Sequence, residues 1–291
     1  MTNKVDAIFC ADLHLMERVP PCRTDKDFIK IQLDKIYWIL TWQDKYECPV
    51  FVAGDIFDKS RLSKESDIRW IEVFNTSNRG LFVIPGQHDL PNHNIEKFGD
   101  SSLGVVEKSV EDFFVDPVPF ETISTYWKIG NRNIAMIHKL IHKNNDSKIK
   151  ADGKIISYSA KRILKENPDY DVIVSGDNHK TFVQECQGRL LVNPGSMLRL
   201  TAAQIDHRPC VFLYNAENNT VRPEYFPIKK SSVVRDYIDI EKEHSNEMDA
   251  YVDRLNDNEE IGLSYDSNMK KFLQKNNIEK SVVKKIWSWM E

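Results

Sequence analysis

The sequence has no window approaching the length of a membrane span, no C-x-x-C pair, no G-x-S-x-G turn and no Walker A loop. The first absence argues against a membrane partner. The second, with an odd count of five cysteines, points to reduced thiols and not to a disulfide framework. The last two leave no serine-elbow nucleophile and no ATP site on this chain. The opening residues, MTNKVDAIFCADLHL, lack a basic stretch followed by a long apolar core, so no signal peptide is expected and a cytoplasmic protein is. Nor is there an excess of positive charge. The formal net charge is −4, so a nucleic-acid partner would have to be held by a local patch, by metal ions or by another subunit.

What is present is ordinary for a soluble globular chain: 291 residues, 41% hydrophobic and 29% charged. VDAIFCADLH, CPVFVAGD and GLFVIPGQHD read as buried strands. Between them lie the helical patterns TDKDFIKIQLDKIYWILTWQDKY, capped by Thr24 or Asp25, and KESDIRWIEVFNTSN. That β-α-β-α-β order predicts an α/β class with parallel pairing. TISTYWKIG and RNIAMIHKLI read as a hairpin, SYSAKRILKEN as a helix ended by Pro168, and five strands follow up to about Pro227. Residues 143–155 read as a polar loop. Beyond 228 the pattern predicts a strand, VVRDYIDIE, and helical stretches near 246–255, 266–276 and 280–290. The expected domains are therefore 1–228 and a small α+β appendage, 229–291.

The chemistry gathers where apolar runs end. Asp12 and His14, Asp55 and Asp58, His88 and Asp89, His138, and Asp177 and His179 each follow or close a predicted strand. Carboxylates and imidazoles converging in one cleft make a divalent-metal site, and so many donors suit two ions better than one. Each piece alone is commonplace; it is their order along the chain that is informative.

That order, D-x-H, G-D-x-x-D, G-x-H-D, a lone His, then G-x-x-H, resembles the calcineurin-like metallophosphoesterases over roughly residues 5–228. Within them, NPGSMLR (193–199) is similar to a segment of the SbcD-type nuclease subunits of double-strand-break repair complexes. The resemblance implies two packed mixed sheets flanked by helices, and two divalent cations, Mn²⁺ foremost with Mg²⁺ possible. It implies metal ligation by Asp12, His14 and His179, bridging by Asp55, and a second ion on His138. His88 would face the scissile phosphate, with Asp58 orienting its ring and Asp89 anchoring the loop. Two positions depart from the family pattern: Gln87 stands where G-N-H has Asn, and Asp177 where G-H-x-H has its first His. Both should serve the second ion, and the oxygen-rich set should favour Mn²⁺ or Mg²⁺ over Zn²⁺.

The resemblance further implies a DNA phosphodiester hydrolase with exonuclease and single-strand endonuclease action. Lys59 and Arg61 are candidate phosphate contacts, weighed against a solvated loop, and Arg199 would steady the metal loop. The implied partners are DNA and an SMC-like coiled-coil ATPase of the SbcC type, with a homodimer also considered. The last two dozen residues carry six lysines, two glutamates and an apolar stripe through Val282, Ile286 and Met290, read either as packing on the appendage or as the ATPase dock. The rival readings are a phosphodiesterase or phosphatase for small substrates and a non-catalytic scaffold.

Overall fold

The computed structural model describes residues 4–143 and 158–234, with Leu273, Val282 and Val283. The polar segment after Lys143, the strand beyond Val234 and, apart from Leu273, Val282 and Val283, the C-terminal helical stretches lie outside the described residues. The chain divides into two compact units, Met1–Val234 and Arg235–Glu291, and both large sheets belong to the first.

The element order is β1 (Ala7–Cys10), α1 (Phe28–Tyr46), β2 (Val50–Ala53), α2 (Lys64–Phe74), β3 (Leu81–Ile84), α3 (Ser102–Ser109), β4 (Phe113–Val115), β5 (Trp127–Ile129), β6 (Arg132–His138), β7 (Ile141–His142), β8 (Tyr158–Ser159), α4 (Ala160–Glu166), β9 (Val172–Gly176), β10 (Phe182–Cys186), β11 (Arg189–Asn193), β12 (Cys210–Asn215) and β13 (Thr220–Tyr225). Two mixed sheets result, ordered β13-β12-β1-β2-β3-β4 and β10-β11-β9-β6-β5, with β7-β8 as a small third pair. β1 to β4 are parallel, as the β-α-β-α-β order predicts, while β12 joins β1 antiparallel and β13 follows as the edge. The fold is the expected sandwich of two mixed sheets flanked by helices.

Period-two alternation assigns the faces. Ala7, Phe9, Phe51 and Ala53 pack against Ile134, Met136, Val172 and Val174 between the sheets. The intervening Ile8, Cys10, Val50 and Val52 pack against the helices through Phe28, Ile36, Ile39 and Trp70. The outer face of the second sheet is covered by Ile163 and Leu164 of α4. All five cysteines are free and buried.

One local expectation is corrected. The α1 cap is Asp27, whose carboxylate accepts from Lys30 N at 2.9 Å, because Arg23 engages Asp25 at 2.7 Å and the helix begins later than read. The first compact unit ends at Val234. Val233 bridges Arg23, and the buried Arg199 guanidinium holds the Lys229 carbonyl at 2.7 Å and Ser232 Oγ at 2.6 Å. Among the described residues, no helix is long and apolar enough to cross a membrane.

Candidate metal centre

Asp12 follows β1, Asp55 follows β2, Gln87 and His88 follow β3, His138 ends β6, and Asp177 and His179 follow β9. All lie at carboxyl ends of parallel strands, where open α/β sheets build their sites. The two buried carboxylates are arranged alike. Asp12 Oδ1 accepts the Asp177 N–H at 2.9 Å, and Asp55 Oδ1 accepts the His88 N–H at 3.0 Å. Each second oxygen is buried with no hydrogen-bond partner. His138 Nδ1 donates to the Ala53 carbonyl at 2.8 Å, which leaves Nε2, 3.3 Å from Asp55 Oδ2, to carry a proton or, in its place, to ligate a cation. His14 Nε2 sits 3.1 Å from His179 Nε2 and 3.7 Å from Asp55 Oδ2.

Seven buried side-chain N or O atoms among the described residues lack a hydrogen-bond partner. Only Asp67 Oδ1 lies outside the set Asp12, His14, Asp55, Asp58, Gln87 and His138. An unpaired buried polar atom costs about 1–3 kcal/mol, more when charged. Asp12 Oδ2, Asp55 Oδ2 and Gln87 Oε1 are acceptors that bound cations would satisfy together, whereas Asp58 Oδ2 faces the Arg18 guanidinium at 3.7 Å. The donor atoms of Asp12, His14 and His179, of Asp12, Asp55 and His138, and of His14, Asp55 and His88 each lie within 4.8 Å of one another. The residues fit divalent cations in overlapping positions that share Asp12 and Asp55.

The backbone is bent to this end. Asp12, His14, Asp55 and Asp177 all take positive φ, at 49°, 44°, 50° and 77°, a region that non-glycine residues enter rarely and at a cost. At Gly176 a Cβ would collide with the Ala53 carbonyl and the His138 ring, so close approach of β9 to β2 demands glycine. The NPGSMLR segment braces the site. Ser196 bridges Ala11, Met197 N donates to the Asp12 carbonyl at 3.1 Å, and Thr181 Oγ1 donates to the Pro194 carbonyl at 2.7 Å.

Residues 9–218 match the calcineurin-like phosphoesterase superfamily domain. The chain belongs to this superfamily. No curated protein matches it. Among solved structures, an archaeal phosphodiesterase is similar at TM-score 0.46 and 14% identity, over 76% of this chain and 99% of that one. Vacuolar protein sorting 29 from Cryptosporidium parvum is similar at TM-score 0.39 and 17% identity, over 78% and 100%. A predicted phosphoesterase from Streptococcus pneumoniae is similar at TM-score 0.41 and 13% identity, over 81% and 95%.

The electrostatics of this phosphoesterase centre come from burial and proximity. Burial, seconded by Asp55, pushes the Asp12 carboxyl up to about 8 despite His138. Burial pulls His14 down to about 3 against the attraction of Asp55, and it lowers His179. At His138 burial opposes the charged form, but the Asp55 and Asp12 carboxylates prevail and raise it to about 10. Burial disfavours the Asp55 carboxylate, yet His138 and His14 hold its pKa well below the usual range.

Three predicted residues behave differently from their expected roles. His88 Nδ1 lies 3.0 Å from the Asp58 backbone carbonyl, so the main chain of Asp58 orients the ring; its carboxylate faces Arg18 at 3.7 Å. Asp177 belongs to none of the three-donor groups, and its Oδ1 accepts from Gln87 Nε2 at 3.0 Å. Arg61 Nε donates to the Asp100 carbonyl at 3.0 Å, which turns it to its own loop, while Lys59 stays exposed beside Asp58. Asp89 is fully buried and accepts the N–H groups of Ile56, Phe57 and Gly86, fastening the His88 loop to the Asp55 loop. Sequence reading overlooked Lys180, His207, Arg208 and Tyr225, which line a cavity beside Asp177 and His179; only Lys180, next to His179, carried any signal.

Proposed function

We propose that this phosphoesterase is a Mn²⁺-dependent DNA phosphodiester hydrolase of the SbcD type, acting as exonuclease and single-strand endonuclease. The observation that carries the hydrolase reading is the nest of partnerless buried acceptors, Asp12 Oδ2, Asp55 Oδ2, Gln87 Oε1 and His138 Nε2, with the exposed His88 at its rim. The oxygen-rich donors support a hard cation, and NPGSMLR supports the nuclease subfamily. Bound divalent cations would supply an activated water and neutralise charge on the phosphoryl oxygens. Asp55 and Asp12 would hold the cations, their Oδ1 atoms being pinned by the His88 and Asp177 N–H groups. The Asp58 carbonyl accepts a hydrogen bond from His88 Nδ1, which leaves Nε2 free to act in the cleft, where it would donate a proton to the departing oxygen. We further propose an SMC-like coiled-coil ATPase as partner, docked through residues 265–291.

The test is hydrolysis of single-stranded and duplex DNA, and of bis-p-nitrophenyl phosphate, with Mn²⁺, Mg²⁺ or Zn²⁺. The reading predicts DNA cleavage that is strongest with Mn²⁺ and is lost in His88→Ala. Hydrolysis of bis-p-nitrophenyl phosphate with DNA left intact would instead identify a small-substrate phosphodiesterase.

A further inference from the structure

A cavity of about 700 Å³ adjoins the metal centre, with Asp177 and His179 in its lining beside Lys180, His207, Arg208 and Tyr225. That volume lies within the ~300–1,000 Å³ of small-molecule sites. Tyr225, at the end of the edge strand β13, is 41% exposed. The Arg208 guanidinium lies over its ring, 4.2 Å from the centroid. The adjoining His207 is fixed by Nε2 at 2.7 Å from the Ser196 carbonyl, on the segment that braces Asp12. Lys180 is exposed and directly follows His179, and its backbone is fixed by the Asn178 side chain at 3.1 Å. An aromatic ring with a stacked guanidinium offers a base a stacking surface, and Lys180 offers a phosphate a cationic contact; Asp177 and Asp206 share the lining, so recognition rests on the stack and on that one lysine and not on net charge.

We propose that this cavity is the nucleoside subsite of the enzyme. The base stacks on the Tyr225–Arg208 plate, and Lys180 meets the phosphate next to the one being cut. The proposal rests on the phosphodiesterase reading and adds where the base is held and the residues that hold it.

The test compares binding of deoxyadenosine monophosphate and of deoxyribose 5-phosphate, which lacks the base, to the full chain by calorimetry with Ca²⁺ present. Wild type should bind the nucleotide about tenfold or more tightly than the sugar phosphate, a ratio set by base stacking. Tyr225→Ala should erase that ratio by weakening the nucleotide alone, and Tyr225→Phe, which keeps the ring, should restore it. Equal affinities in wild type, or a ratio that survives Tyr225→Ala, would overturn the subsite. DNA cleavage by the same proteins separates the two readings. A chain that shows the stacking ratio but cuts no DNA keeps the subsite and loses the nuclease assignment. One that cuts DNA without the ratio does the reverse.

Discussion

Gln87 Nε2 donates to Asp177 Oδ1 at 3.0 Å, so the two positions at which the sequence departs from G-N-H and G-H-x-H touch each other. The amide is thereby oriented. Its nitrogen is occupied by Asp177, and its oxygen, Oε1, is left buried and without a partner beside the metal centre. A carboxylate at 177 and a longer amide at 87 thus form one unit. In it Asp177 Oδ1 holds the nitrogen end of the Gln87 amide.

That division of labour separates two substitutions. Asp177→Asn keeps an acceptor for the Gln87 amide and removes only charge. Asp177→Ala removes the acceptor and lets the amide turn. The alanine variant should lose about 10–100-fold in Mn²⁺ affinity, the usual effect of deleting a partner that orients a ligand, and the asparagine variant should lose distinctly less. Calorimetric Mn²⁺ titration decides. Equal losses would mean that Asp177 itself contributes its charge to the ion.

The free carboxylate oxygens predict a trade between stability and cation binding. Asp12→Asn retains Oδ1 to accept the Asp177 N–H and removes a carboxyl that folding must either bury charged or protonate, its second oxygen having no partner. In chelator, the variant should be more stable than wild type by about 1 kcal/mol or more. With Mn²⁺ at a hundred times its dissociation constant, wild type should gain about 2.7 kcal/mol, and the variant should gain much less. Urea denaturation with and without Mn²⁺ measures both.

The parts of this site that were legible in the sequence are those written as chemical type at a strand end. Asp12, His14, Asp55, His138 and His179 follow or close apolar runs, and their donor atoms do converge. Features written in the backbone were not legible. The oxygen that orients His88 is the Asp58 carbonyl, which any residue at 58 could supply. The left-handed turns at Asp12, His14, Asp55 and Asp177 use residues with no glycine to announce them. In the fold, the strongly periodic α1 and the buried strands were readable. The short α3 was not, being eight residues interrupted by Gly104, where a Cβ would strike the Phe98 carbonyl. Nor did local pattern show that β12 inserts beside β1, since that pairing joins residues some two hundred positions apart.

Lys35 supplies a pH-dependent element of stability. Its ammonium is buried against the Met197 carbonyl and lies 4.9 Å from the Phe226 ring centroid. Burial, with Arg23 and Arg199 nearby, lowers its pKa to about 7 from 10.5. Between those values the unfolded chain binds more protons than the folded one, so this residue makes stability rise with pH across that window. Below about pH 7 both states are protonated and the folded state carries the full burden of a buried charge. The stability of wild type relative to Lys35→Met should therefore increase from pH 7 to pH 10. Urea denaturation of both proteins at several pH values tests this, because other titrating groups cancel in the difference. A flat difference would show that the amine stays charged when folded.

Arg199 should prove structural for the brace. Its guanidinium is 2% exposed and serves the carbonyls of Ile205 and Lys229 and the Ser232 hydroxyl at 3.1, 2.7 and 2.6 Å, tying NPGSMLR to residues 229–232. Arg199→Ala takes a donor from the Ile205 carbonyl and from Ser232 Oγ, and leaves the Lys229 carbonyl to Ser232 alone, at about 1–3 kcal/mol for each group left buried and unpaired. Arg199→Lys offers a point charge on one stem and does not span three acceptors, so it should rescue little. Hydrogen exchange gives the specific reading. The Val234 N–H, bonded to the Cys22 carbonyl at 2.9 Å, should lose protection in both variants before the β1–β2 core does. If the segment stays protected while Mn²⁺ affinity falls by more than tenfold, Arg199 acts on the metal centre and its role as a tether for residues 229–234 is wrong.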